Sequence, residues 1–415
     1  MPIFPRVSDQ WLLEQLSKSI ESEPIRIVLG NGESSSPVNA PVATLIIPDR
    51  KTLLRLWFDP EVAFGDAYAA GNIQVQGNLV KFLESVYRGR SSQRRGEPLY
   101  ARLASTWIHW LQANTMGGSR RNIHAHYDIG NDFYKLWLDR QLVYTCAYFP
   151  TPATTLEEAQ TAKMDYVCRK LRLQPGETVV EAGCGWGSLA LHMAREYGVA
   201  VKAFNVSHEQ IVFARQRAER EGLRRQVEFI KDDYRNISGQ FDVIVSVGML
   251  EHVGVENYPD LAKVIQRSIG ESGRGLLHFI GKNQPSAYSR WMRKRIFPGA
   301  YIPALREALK IFERYNYSVL DVENLRLHYA KTLEHWLDRF EKSQQQVLSM
   351  YDSEFLRAWR LYLAGSLAAF RSGSLQLFQV VFAGSRSQPV CWTRAPLYTP
   401  SSVEIEETKW MHATS

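Results

Sequence analysis

The chain has 415 residues, 45% of them hydrophobic and 22% charged, with 50 Lys and Arg against 43 Asp and Glu for a formal net charge of +7. That length exceeds one ordinary core and suggests two domains, and no uninterrupted apolar run approaches the roughly 18–20 residues that span a bilayer. The opening MPIFPRVSDQ lacks the regions of a signal peptide, and Cys146, Cys168, Cys184 and Cys391 are too scattered for a zinc site or a disulfide framework, so a reducing cytoplasm is expected.

Residues 1 to about 115 read as a small α+β domain, with strand character at Arg26–Leu29 and Thr44–Ile47 around a turn-like Asn31–Pro41 stretch. Lipid binding or dimerisation would suit such a domain, and a homodimer stays open. Two arginine groups bracket its exit: Arg88, Arg90, Arg94 and Arg95, then Arg120 and Arg121. They form either a solvated linker or a contact with anionic headgroups, which would contribute roughly 1 kcal/mol per basic residue near the surface. Residues 116–154 form a linker and covering segment.

From Thr155 to about residue 390 helices and strands alternate, the pattern of a doubly wound, mostly parallel sheet in a Rossmann-like α/β domain. Thr155 and Glu158 make a capping-box signature for a helix reaching Leu171. Strands are expected at Thr178–Ala182, Val199–Phe204, Val227–Ile230, Phe241–Val247, Gly275–Ile280 and Leu375–Phe382, and helices begin near Gly187, Ser207 and Pro259. A mostly helical section between about Gln284 and Ser374 exceeds the minimal fold and reads partly as a substrate-covering insertion. Residues 391–415 form a tail, and no internal repeat is present.

The densest signal is VVEAGCGWGSLALHM, Val179–Met193. An apolar run ends in Glu181, glycines follow at Gly183, Gly185 and Gly187, and a helical pattern begins at once. Such a turn needs residues without a Cβ, so that the backbone can pass close to a ligand. The spacing is not that of a phosphate-binding loop, and it weakens a dinucleotide reading. It resembles the first motif of the class I S-adenosylmethionine (SAM) methyltransferases, which implies that Glu181, Gly183 and Gly185 meet the methionine part of SAM. Asn205 stands where the second strand usually ends in an acid for the ribose, and an amide can still serve a hydroxyl. Ser207 reads as a helix cap, Gln210 as either cap or ligand contact, and Asp233 and Tyr234 are placed for the adenine.

Four more motifs follow a distinct chemistry: HYDIGNDFYKLWLD running into YTCAYF (His126–Asp139 and Tyr144–Phe149), MLEHVG (Met249–Gly254), LLHFIG (Leu276–Gly281) and RLHYAKTL (Arg326–Leu333). With the glycine motif, this set resembles the cyclopropane fatty acid synthases and mycolic acid cyclopropane synthases, from about Ala63 to Gly384. The resemblance implies a bound bicarbonate as base, held by Glu251, His278 and Tyr329, with Cys146 and Ile280 at the same pocket offering backbone amides. It also implies that Tyr144 and Thr145 reach the cofactor carboxylate or ribose. Read alone, Glu251 could cap the next helix, His278 could be a satisfied core histidine, Cys146 a packed small residue, and Tyr329 says nothing.

The implied reaction is transfer of a methylene group from SAM to a cis double bond of an unsaturated phospholipid acyl chain, by an enzyme peripheral at the inner face of the membrane. An anionic lipid surface suits the basic charge and the RWMRKRIFPGAYIP segment (Arg290–Pro303), which reads equally as a charged helix and turn. Nucleic acid is disfavoured because the aromatics cluster with apolar residues and no recognised binding motif occurs. The alternatives are an acyl-chain enzyme that stops at a methyl or methylene branch, a small-molecule N-methyltransferase, and a non-catalytic lipid-binding protein.

Overall fold

The computed structural model describes residues 8–18, 20, 24–35, 39–93, 129–387 and 393–398. Near the N-terminus, β1 (Ile25–Leu29) pairs parallel with β2 (Ala43–Ile47), which pairs antiparallel with β3 (Gln74–Gly77). Burial of Ile25, Ile27 and Leu29 on one strand and of Ala43, Leu45 and Ile47 on the next gives the alternation of a one-sided sheet. β3 carries no such signal, because QVQG is a short edge strand with no buried residue.

The second sheet has seven strands: β4 (Thr178–Ala182), β5 (Ala200–Asn205), β6 (Val227–Lys231), β7 (Val243–Val247), β8 (Arg274–Gly281), β9 (Ser318–Asn324) and β10 (Gln376–Ala383). Their spatial order is β6-β5-β4-β7-β8-β10-β9. Neighbours run parallel except at β10, which is antiparallel to both β8 and β9. The expected strands lie within two residues of these bounds. β9 is the exception: SVLDVEN is a sheet edge whose Val319 and Leu320 are exposed, so apolar periodicity does not mark it. The Leu156–Leu171 helix starts on the expected reciprocal cap, with Thr155 N–H donating to Glu158 Oε2 at 2.9 Å and Glu158 N–H to Thr155 Oγ1 at 3.3 Å.

The helical section contains two long helices, Arg326–Lys342 and Ser353–Arg371, packed on each other. Helices Pro60–Ala69 and Leu79–Gln93 of the N-terminal unit pack on the second of them, so the small sheet and the insertion share one hydrophobic core. A polar clamp reinforces the contact. Arg295 donates to both Asp66 oxygens at 2.9 and 2.8 Å, Trp291 Nε1 donates to Asp66 Oδ1 at 3.2 Å, and Arg290 pairs with Asp59 at 3.0 Å. Trp291 lies against Gly65, where a Cβ would come within 2.2 Å of the indole. These basic residues of Arg290–Pro303 are thus committed to holding two parts of the chain together. Of the arginine groups, Arg88 pairs with Glu84 at 3.5 Å. Arg94, Arg95, Arg120 and Arg121, the boundary at 115, the start of the His126–Asp139 motif and Cys391 lie outside the described residues, as does the Arg90 side chain.

The chain runs from β4 outward to β6, then crosses back to β7, so the sheet's switch point falls between β4 and β7. The glycine turn sits at that point with φ of +88°, +53° and +83° at Gly183, Gly185 and Gly187. A Cβ on Gly187 would lie 2.5 Å from Phe229 and 2.9 Å from Ala214, whereas one on Gly185 would meet open space. Gly185→Ala should therefore cost only the left-handed strain, about 1–2 kcal/mol. Gly187→Ala adds overpacking of about 1–3 kcal/mol. Thermal unfolding of the two variants should show the larger loss for Gly187→Ala, and equal losses would contradict this division of the turn.

Candidate active site

Seven of the nine residues expected at the cofactor gather around one cavity at the switch point. Its walls include Tyr144 and Thr145, Glu181, Gly183 and Gly185, Asn205 and Gln210. Glu181 is 2% exposed, and its Oε2 has no hydrogen-bond partner. Burial pushes its carboxyl well above the ordinary carboxylate range, with the charge of Lys163 opposing. A buried carboxylate oxygen left open beside a turn that presents backbone to empty space fits the amino and hydroxyl groups of SAM.

Asn205 Nδ2 donates to Gly185 O at 3.3 Å and to Gln210 Oε1 at 2.7 Å, tying the glycine turn to the next helix. Ser207 makes the cap of that helix, accepting from Gln210 N–H at 3.4 Å. The Gln210 side chain is therefore not a capping group and faces the cavity with Asn205. Asp233 and Tyr234 are not among the cavity's lining residues. Asp233 caps the Tyr234–Asn236 turn and pairs with Arg235, accepting from its side chain at 3.2 and 3.1 Å, while the Arg235 guanidinium lies 4.9 Å from the Tyr234 ring centroid. In this structure Asp233 is thus engaged within a local turn, its carboxylate paired with Arg235.

Two residues unnoticed in the sequence support the Val143–Thr145 side of this cavity. Lys163 Nζ donates to Thr145 Oγ1 at 3.0 Å, and Gln160 Nε2 donates to the carbonyls of Val143 and Thr145 at 3.2 and 2.8 Å. Both are buried on the Leu156–Leu171 helix. Their signal was available: two polar residues three apart on a face otherwise made of Leu156, Ala159 and Val167.

Tyr144, Thr145, Gly248 and His252 also line a second cavity, which brings together Cys146, Glu251, His278, Ile280 and Tyr329. Glu251 sits on the single turn Leu250–His252 after β7, and its Oε1 accepts from Ile280 N–H at 2.6 Å. The Ile280 amide, expected as a donor to a bound anion, is therefore committed to Glu251. Glu251 Oε2 and His278 Nε2 have no partner and are buried. Burial pushes the Glu251 carboxyl up to about 7 against the pull of the Ile280 amide, and drives the His278 imidazole well below its ordinary value.

Cys146 Sγ donates to Ala147 O at 3.1 Å, and burial raises the thiol far above neutrality, so it is a packed thiol and not a nucleophile. Tyr329 comes from the Arg326–Lys342 helix and packs against Phe370, ring centroids 4.6 Å apart. The rest of the lining is largely apolar and aromatic, with Phe297, Leu333, Phe370, Leu375 and Leu377.

A glycine turn at the switch point of this sheet, with a buried carboxylate behind it and a second cavity opening from it, defines a class I SAM-dependent methyltransferase. The family model described as mycolic acid cyclopropane synthetase matches residues 115–380, and the chain belongs to that family. A separate model, of a domain of unknown function, matches residues 12–97. A probable fatty acid methyltransferase of Pseudomonas putida is 32% identical over 93% of this chain and 100% of its own. The cyclopropane-fatty-acyl-phospholipid synthase of Escherichia coli (strain K12) is 40% identical over 62% of this chain and 66% of its own. Mycolic acid cyclopropane synthase CmaA1, solved in complex with SAH and CTAB, is 30% identical with a TM-score of 0.61, covering 63% of this chain and 97% of that one.

The Glu251 carboxyl has its folded pKa raised above an unfolded value near 4.3. Its protonated form therefore favours the folded state below about pH 4, and that contribution is lost as pH rises through about 7. Glu251→Gln keeps the bond to Ile280 and removes the titration. The variant should gain thermal stability over the parent at pH 8, by a few kcal/mol at most, and show little difference at pH 5. A gain of equal size at both values would contradict the burial of this carboxyl.

Proposed function

We propose that this chain is a cyclopropane fatty acid synthase that adds a methylene unit across a cis double bond of an unsaturated phospholipid acyl chain. The observation that carries this reading is the junction of the two cavities: the cofactor crevice opens, past Tyr144, Thr145, Gly248 and His252, into an apolar slot with one polar end. An alkene is a weak nucleophile, so it needs close approach to the methyl group and exclusion of water. The aromatic and aliphatic walls suit an acyl chain and would shield a cation from water.

SAM supplies the electrophilic methyl; the carbon–sulfur bond breaks with its electron pair on sulfur while the alkene carbon bonds the methyl. The adjacent carbon is left cationic, and loss of one proton from the new methyl closes the ring. Bicarbonate would supply the base for that proton, in line with the resemblance of the motifs. Glu251, His278 and Tyr329 would hold it, and a Glu251 carboxyl pushed up to about 7 can carry the proton that an anion beside it requires. Glu181, Gly183, Gly185, Asn205 and Gln210 would hold SAM, with Tyr144 and Thr145 reaching its carboxylate or ribose.

A second reading, a methyl- or methylene-branched product, draws support from the probable fatty acid methyltransferase of Pseudomonas putida. The cation is common to both, and the position of the base decides which proton leaves. Incubation with SAM and vesicles of unsaturated phospholipid, followed by mass spectrometry of the acyl chains, should show a gain of one methylene unit and ring-specific fragmentation. Unchanged chains with unconsumed SAM would refute both readings. Glu251→Gln should lower turnover about 10²-fold or more, as expected when a group acting in proton transfer is lost.

Access to acyl chains would come from peripheral contact with an anionic membrane face in the cytoplasm. No helix among the described residues is long and apolar enough to cross a membrane. The N-terminal unit exposes Phe58 to 81%, with Trp11 and Trp57 touching beside it at 5.5 Å between ring centroids. Lys51, Arg55 and Phe58 lie at i, i+4 and i+7 of one exposed helix face, which suits insertion of aromatics beneath lipid headgroups. The double variant Trp57→Ser, Phe58→Ser should cosediment several-fold less with vesicles containing anionic phospholipid. Unaltered cosedimentation would remove this face from the contact.

A further inference from the structure

His278 faces Gln379 directly across the antiparallel pair of β8 and β10. The two side chains meet with Gln379 Nε2 3.0 Å from His278 Nδ1. The other end of the same amide is engaged as well: Lys170 Nζ lies 2.8 Å from Gln379 Oε1. Lys170 reaches there from the end of the Leu156–Leu171 helix with its side chain 1% exposed, held by Glu323 at 2.5 Å and Asp321 at 3.7 Å, both on the edge strand β9. Its ammonium also stands 4.7 Å from the Tyr166 ring centroid. A chain of contacts therefore runs from β9 through Lys170 and Gln379 to the imidazole.

The chemistry of these groups fixes the direction of every bond in that chain. An ammonium has three donors and no acceptor, so only the carbonyl oxygen of Gln379 can face it. The amide NH2 is then turned to the histidine, and Nδ1 must offer its lone pair. A neutral imidazole with Nδ1 as acceptor carries its proton on Nε2. Nε2 is the buried, partnerless nitrogen, and His278 lines the second cavity.

We propose that Lys170 and Gln379 are positioning residues that hold His278 as the Nε2–H tautomer, making it a hydrogen-bond donor to whatever accepts at the polar end of the cavity and barring it from acting as the base. The proposal rests on the reading of that cavity as the reacting end. It deepens that reading by excluding one of the groups to which the ring-closing proton could go. Nε2 already bears its proton and Nδ1 faces an N–H, so neither nitrogen is open to another. The burial of the ring and the charges of Lys163 and Lys170 act in the same sense by disfavouring the imidazolium. The proton released on closure must then leave through Glu251 or through the acceptor that His278 helps to hold.

The test is the nitrogen-15 spectrum of the full-length protein labelled at histidine, with His278→Gln used to assign the resonances. Near neutral pH, His278 should show a pyridine-type Nδ1 and a pyrrole-type Nε2. A proton found on Nδ1, or on both nitrogens, overturns the proposal without any activity measurement. Gln379→Glu offers the ring an acceptor in place of a donor and should move the proton to Nδ1 or charge the ring. Turnover on unsaturated phospholipid vesicles should then fall on the order of tenfold or more, with the KM for SAM within about twofold of the parent. An unmoved proton in this variant also overturns the proposal. Should Gln379→Glu fail to fold, Lys170→Met frees the amide to turn, and the single tautomer should give way to a mixture; a persisting pure Nε2–H form counts against the relay. A spectrum as expected from a protein that alkylates no lipid would leave the tautomer standing and refute the proposed function instead.

Discussion

The catalytic half of the molecule depends on how sharply β4 turns into the helix that follows. At Gly183 the chain must leave the sheet with a positive φ, and at Gly187 it must enter the helix against Phe229 and Ala214 with no room for a side chain. Only between them, at Gly185, does the turn face open space. The outer glycines are thus constrained by their backbone and neighbours, and at the middle one nothing stands in the way of the backbone. The same turn leaves Glu181 at the strand end, buried and with one oxygen unpaired. A protein core does not leave such an atom without a counterpart at no cost; the strain and the open valence belong to the site.

That asymmetry extends to the second cavity. Glu251 Oε2 and His278 Nε2 are both buried and open, while the other atom of each group is firmly engaged, by the Ile280 amide and by Gln379. Each side chain is oriented from behind and left free in front. Such half-satisfied groups destabilise a core, and their presence together in the lining of one cavity is what supports the proposed reacting centre over a packed interior.

The sequence made the sheet legible wherever apolar runs were buried on both faces, as in β4, β7 and β8, because continuous hydrophobicity and turn residues mark such strands. It left β9 unread, since that edge strand spends Asp321 and Glu323 on Lys170 and exposes Val319 and Leu320. The glycine turn was legible for the same reason it is constrained: few residues other than glycine can stand there. Gln160 and Lys163 showed only as polar residues on an apolar helix face, because their partners are backbone and side-chain atoms of the Val143–Thr145 loop, whose proximity only the fold creates. Gln379 was hidden in the same way, as an ordinary polar residue in LQLFQVVF until the register set it opposite His278. Asp233 was marked by its position after a strand, whereas its pairing with Arg235, two residues on, shows only in the fold.

The N-terminal unit bears on the second cavity through one short segment with two faces. Trp291 and Arg295 turn outward to Gly65 and Asp66, while Phe297, Ala300 and Ile302, a few residues further on, line the cavity. Close packing transmits displacement, because a core filled to its ordinary density has no slack to absorb it. A shift of the Pro60–Ala69 helix would therefore move Trp291 first, and through the same turn the wall formed by Phe297. The exposed aromatic face at Trp57 and Phe58 immediately precedes that helix in the chain. The proposed contact between that face and a lipid surface would thus act within a few residues of the clamp, and through the clamp on the wall of the proposed acyl slot.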